Sequence, residues 1–148
     1  MFFALIRRFY IMNYVERCLY CYRDNLTLLD NSRAELQTVK SLQVQNYKPN
    51  SGSGISNPVF EVTAKIISLE QKIKALLRHT MPVKKLFRTL TSINTLRHSQ
   101  MACILKFRYF AHHSVNKVIR EMAISQPTYW RRNGELLRLA RQYLNAES

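Results

Sequence analysis

Five sets of residues in this chain are of types that could do chemistry. Cys18 and Cys21 form a C-x-x-C, the spacing of redox pairs and of zinc half-sites, but Cys103 stands apart, so no second pair completes a zinc set. No strand-then-helix context surrounds the pair either, and the three cysteines read as small buried or half-buried thiols in a reducing compartment. The histidines His79, His98, His112 and His113 lack spaced cysteine or acidic partners and read as solvated loop or surface residues, with His113 able to touch a phosphate when protonated. Carboxylates are scarce: after Glu70 only Glu121, Glu135 and Glu147 remain, too few for paired acid–base or metal-assisted hydrolysis. Gly52 and Gly54 have neither a following lysine nor a preceding strand, so they do not form a phosphate-cradling loop. The chemistry of these four sets predicts no enzyme, no cofactor and no metal.

The fifth set is cationic. Lys and Arg number 23 against 9 Asp and Glu, a formal charge of +14. Residues 1–77 hold 10 basic and 6 acidic side chains, an excess of +4, and residues 78–148 hold 13 and 3, an excess of +10. Dense cations in the second half suit a polyanion, because each neutralised phosphate releases condensed counterions. There the sequence reads AHHSVNKVIREMAISQPTYWRRNGELLRLARQYL. Ser114 can cap a short helix with Val115, Val118, Ile119 and Met122 on its apolar side; residues 123–125 make a tight turn; Ser125 caps a second helix with Pro127 in its first turn. A short capped helix, a tight turn and a longer arginine-rich helix form the signature of a helix-turn-helix. With Tyr129, Leu136, Leu137, Ala140 and Tyr143 turned inward, the start of the second helix presents Ser125, Gln126, Thr128 and Arg131 to base edges in a major groove. Gln pairs bidentately with adenine and Arg with guanine, each such pair being worth ~1–3 kcal/mol of discrimination. Lys106, Arg108, Lys117, Arg132, Asn133 and Arg138 are placed for phosphates, which set affinity rather than sequence. Trp130 reads as a packing or backbone-contact residue rather than a stacking platform.

The elements that must hold this set are helices. Val15, Leu19, Tyr22, Leu26, Leu29 and Leu36 step by threes and fours, predicting one helix over residues 15–44. Residues 46–58 (NYKPNSGSGISNP) predict a loop. Val62, Ile66, Leu69, Ile73 and Leu76 alternate by four and three as a coiled-coil seam, on a helix that Ser56 or Asn57 can cap and Pro58 can open. The two long helices predict an antiparallel hairpin or, through residues 59–77, a homodimer. Thr80 and Pro82 predict a break, followed by a short helix with Val83, Leu86, Phe87 and Leu90 inward. A further helix carries Leu96, Met101, Ile104, Leu105 and Phe107 and ends in Tyr109 and Phe110. No alternating strand pattern is present. The expected fold is all-α, with N-terminal long helices and a C-terminal helix-turn-helix domain: residues 13–45, 46–58, 59–79 and 80–148 in turn. Residues 1–12 (MFFALIRRFYIM) form an N-terminal extension too short to span a membrane and broken by Arg7 and Arg8.

The strings ILKFRYF and AISQPTYWRRNGELL, with the Ser-started helix between them, resemble the C-terminal end of ArpU/RinA-type phage transcriptional regulators, whose domain is similar to the promoter-reading region 4 of sigma factors. The Gly/Ser loop and ISNPVFEVTAKIISLEQKIKAL at residues 55–76 are similar to the loop and helix that precede it in those proteins. The resemblance covers roughly residues 13–144 and leaves out residues 1–11, which read as an upstream start or a remnant. It implies activation of late phage or prophage genes together with host RNA polymerase, on DNA in the bacterial cytoplasm. Three positions depart from the pattern. Ala123 fills the turn position usually held by Gly, at ~1 kcal/mol if left-handed. Ile119 fills a place usually held by a small residue, and Gly134 weakens the second helix by about 1 kcal/mol.

The expected function is sequence-specific binding of double-stranded DNA in transcription regulation. Two alternatives come from other classes: a packaging-associated protein that oligomerises through its helices and holds nucleic acid nonspecifically, and an RNA-binding module.

Overall fold

A computed structural model describes residues 13–45 and 58–146. The N-terminal extension, nearly all of the 46–58 loop and the proposed Ser56 or Asn57 cap lie outside the described residues. Those described are helical or in short connections, with no strand among them, which makes the fold all-α. None of the described helices is long and apolar enough to cross a membrane.

The expected single N-terminal helix is two. Helix α1 (Tyr14–Tyr20) is capped by Asn13, whose Oδ1 accepts the Glu16 N–H at 2.9 Å. Cys21 then departs from helical geometry (φ −90°, ψ 3°), and α2 (Tyr22–Gln45) follows. The hydrogen bonds from Cys21 N–H to the Arg17 carbonyl and from Asn25 N–H to the Cys21 carbonyl, at 2.9 and 2.8 Å, carry the ladder past the irregularity.

Helix α3 (Pro58–Ser92) overturns the expected break, for it runs through Thr80 and Pro82 uninterrupted. A proline inside a helix forfeits one backbone hydrogen bond and crowds the preceding turn, a cost of ~3 kcal/mol that a surface helix rarely bears. Here Thr80, Pro82, Val83, Leu86 and Leu90 are all buried, and their packing offsets that cost. The apolar contacts that made Val83–Leu90 look like a separate element are the end of this long one.

Helix α4 (Leu96–Ile104) starts at Thr95, whose Oγ1 accepts the His98 N–H at 3.2 Å. Leu96, expected inward, occupies its exposed first position. The chain passes directly into a π-helix (Leu105–Phe110), in which the Ala111 N–H reaches back five residues to the Lys106 carbonyl. The wider turn places Leu105, Tyr109 and Phe110 in the core while Lys106 stays outside. Helices α5 (Val115–Met122) and α6 (Gln126–Ala146) complete the described chain.

Two compact units emerge, with boundaries that differ from the expected ones. Among the described residues, one comprises 13–25 with 78–146, so that α1 joins the C-terminal helices; the other is formed by the described part of Leu26–Leu77. The first is built on a continuous core of Leu19, Leu86, Leu90, Ile104, Leu105, Val118, Tyr129, Leu136 and Ala140 among others. In the second, Leu29, Ser32, Val39 and Leu69 are buried, and the ion pairs Glu35–Lys65 (3.3 Å) and Lys40–Glu70 (3.5 Å) join its two helical segments. Of the expected seam only Leu69 is fully buried, and Val62, Ile66, Ile73 and Leu76 are half-buried.

Candidate nucleic-acid interface

The local sequence explains how α6 is set in place. Ser114 Oγ accepts the Lys117 N–H at 3.2 Å and starts α5. Its C-terminus is closed by Ala123, in the left-handed region (φ 52°, ψ 43°), with the Ala123 N–H on the Arg120 carbonyl at 3.2 Å and the Ile124 N–H on the Ile119 carbonyl at 3.4 Å. This is a Schellman-type closure, in which the αL residue folds the chain back over the last turn and satisfies carbonyls left open by the helix end. Ser125 then caps α6: its Oγ accepts the Thr128 N–H at 3.2 Å and shares a 2.7 Å hydrogen bond with the Thr128 hydroxyl.

From there α6 divides into two faces at helical spacing. Tyr129, Asn133, Leu136, Ala140 and Leu144 point into the core. Gln126, Trp130, Arg131, Arg138 and Arg141 are exposed on the other side, and Gly134 between them is half-buried. Trp130 is 44% exposed and sets its ring edge-on to Tyr129 at 5.1 Å.

Of the residues expected at base edges, Gln126 and Arg131 lie on this outer face. Ser125 is exposed and Thr128 half-buried, but their hydroxyls are engaged with each other in the cap. The residues expected at phosphates divide more sharply. Lys106, Lys117 and Arg138 are exposed. Asn133 is a correction: it is 8% exposed, and its Oδ1 accepts the Tyr109 hydroxyl at 2.7 Å, so it cannot reach a ligand. Arg132 is half-buried, donating from Nε to Gln100 Oε1 (2.8 Å) and from Nη1 to Glu135 Oε1 (3.3 Å). Arg108 is likewise turned to structure, with Nη1 on the His113 carbonyl at 3.0 Å and the guanidinium 5.8 Å from the centre of the Tyr20 ring.

These inward contacts fix α6 against its neighbours. Glu135, which the residue types alone did not single out, accepts from Arg97 Nε at 2.7 Å and from Arg132, and together with Arg132–Gln100 it ties α6 to α4. The hydrogen bond from Arg97, with the positive charge behind it, holds the Glu135 carboxyl below its ordinary range. Burial drives the Tyr109 hydroxyl far above the usual phenol range and raises Tyr129 also, so both remain protonated in the core.

His112 is exposed as expected, yet both loop histidines make defined contacts. His112 stacks on Tyr20 at 3.9 Å, with Nε2 2.7 Å from the Tyr20 carbonyl; half-buried His113 stacks on Phe107 and faces Glu121 at 3.7 Å. Cys18 is buried with Sγ 3.8 Å from His79 Nδ1, whereas Cys21 is exposed. Among the described residues no group of three or more His, Cys, Asp or Glu side chains is placed to hold a metal ion.

Comparison with known proteins finds one family model, described as "Protein of unknown function (DUF1492)", which matches residues 43–145. No curated protein and no solved structure matches the chain.

Proposed function

The chain belongs to the DUF1492 family, and we propose that it is a double-stranded-DNA-binding transcription regulator that lays the start of α6 in a major groove. The observation that carries this reading is the pairing of α5 and α6 through the left-handed turn at Ala123, with Gln126 and Arg131 outward on a helix whose other face is locked in the core. A helix braced in this way matches the width of a major groove and brings its first turns to base edges, while Lys106, Lys117 and Arg138 meet phosphates. In this reading the protein activates late phage or prophage genes beside host RNA polymerase in the bacterial cytoplasm, and a homodimer formed through residues 59–77 would set the spacing of two half-sites.

Selection of bound sequences from a random duplex pool, followed by titration of variants, tests this. Arg131→Ala and Gln126→Ala should each lower affinity for the selected site by about tenfold, and affinity for random duplexes much less. Equal losses on both would remove base reading by α6. Exposed Val59, Phe60 and Ile67 on α3 favour a second reading, an oligomer that coats nucleic acid without sequence preference. Footprinting separates the two: a discrete protected site supports regulation, uniform protection the coating role.

A further inference from the structure

Gly134 is half-buried and lies on α6 away from its core residues. Trp130 and Arg131 lie one turn before it, Arg138 one turn after and Arg141 two turns after, all four exposed, while the core residues Tyr129, Asn133, Leu136 and Ala140 are on the far side of the helix. Nothing inside the protein calls for a glycine at this position. Its backbone is helical, with no positive φ, and a Cβ built on it would meet no atom within 4 Å. A glycine in the interior of a helix weakens it, and here that weakness has no internal return.

The missing side chain leaves partly exposed backbone open to the outside, on the same side of the helix as the exposed Trp130, Arg131, Arg138 and Arg141. A body that must come closer to the helix axis than a methyl group allows would fit there, and the surrounding cations specify an anion. Resting on the duplex reading given above, we propose that Gly134 is a contact notch in which a phosphate of the DNA backbone sits against α6 beside Arg138. The glycine thereby sets how deeply the helix enters the groove.

The inference separates stability from binding in a way that a merely tolerated glycine does not. Full-length wild type, Gly134→Ala, Gly134→Leu and Arg131→Ala are compared by thermal unfolding and by titration with short labelled duplexes of random sequence and with the sequence enriched from that pool. Gly134→Ala and Gly134→Leu should melt at or above the wild-type midpoint. Both should bind more weakly on both probes, Gly134→Ala by about tenfold and Gly134→Leu by more. Undiminished binding by Gly134→Ala overturns the notch, and so does a lowered midpoint, which would mean that the fold itself needs the glycine. If Arg131→Ala loses affinity while Gly134→Ala keeps it, only the notch fails. If wild type binds neither duplex, or Arg131→Ala binds both as wild type does, the placement of α6 against DNA fails and the notch with it.

Discussion

Ala123 adopts φ 52° and ψ 43°, a conformation that brings an L-residue's Cβ against its own carbonyl. The residue is exposed, so a glycine would lose no packing there. Ala123→Gly should stabilise the protein by about 0.5–1 kcal/mol, the relieved strain less the greater freedom that glycine gives the unfolded chain, and raise the thermal midpoint by a few degrees. An unchanged or lower midpoint would contradict the strain. This turn was legible in the sequence because a helix end, a tight turn and a serine cap are local events. Asn133 was not. Its spacing from Tyr129, Leu136 and Ala140 is a core spacing, but a polar side chain reads as outward until its partner is known, and that partner, Tyr109, is contributed by another element. Tyr109→Phe leaves Asn133 Oδ1 buried without its donor and should cost about 1–2 kcal/mol at neutral pH, measured by denaturant unfolding. Tyr109 and Tyr129 set an alkaline limit. Burial raises the folded-state pKa of Tyr109 and Tyr129 above their unfolded values, so the unfolded chain loses these protons first. Their contribution is complete below the ordinary phenol range near ~10 and is lost as pH rises through and beyond it. The denaturant midpoint should therefore fall above pH ~10, and less steeply in Tyr109→Phe.

At the scale of elements, the caps Ser114 and Ser125 were readable because a hydroxyl three residues ahead of an N–H needs no distant partner. Pro82 and the π-helix were not, because both are local departures held in place by burial: Pro82 among Val83 and Leu86, and the widened turn by the depth of Leu105, Tyr109 and Phe110. Arginine pairs in this sequence looked uniformly outward for the same reason. Arg131 does point out, but Arg132, one residue on and 100° round the helix, meets Gln100 and Glu135. The polar part of the joint between α4 and α6 thus lies near the surface: Arg97 is 60% exposed in its contact with Glu135. Glu135→Gln should cost less than about 1 kcal/mol and lose most of that effect in high salt, since exposed ion pairs are weak and screened. Its pH dependence has a definite sign. The Glu135 carboxyl is held below its unfolded value, so its contribution is present above the ordinary carboxyl range and disappears as pH falls through the lower folded value. Wild type should lose this increment on acidification and Glu135→Gln should not, a difference readable as converging denaturant midpoints below pH ~4.

For the molecule as a whole, the least legible feature is that the unit carrying α6 is not a contiguous stretch of chain. Periodicity assigned Val15 and Leu19 to one long N-terminal helix, since a stripe says which face is apolar but not what covers it. In the structure Val15, Cys18 and Leu19 belong to the same core as Leu86, Ile104, Tyr129 and Leu136, and Leu26–Leu77 forms a unit with its own buried residues. Such a contact closes across a large separation in sequence, and no local pattern encodes it. The division has a mechanical consequence. Leu19 is fully buried, so Leu19→Ala should destabilise the unit holding α6 by about 2–5 kcal/mol through lost apolar contact and the cavity left behind. Leu69, buried in the other unit, should not. Trp130 is the single tryptophan of the chain and lies on α6, so its fluorescence reports the unfolding of one unit alone. The fluorescence transition should move to markedly lower denaturant in Leu19→Ala and stay near the wild-type midpoint in Leu69→Ala, where circular dichroism alone registers the loss. A Leu69→Ala variant that shifts the Trp130 transition as far as Leu19→Ala would mean that the two units unfold as one, and that α6 is braced by more of the chain than the core of its own unit.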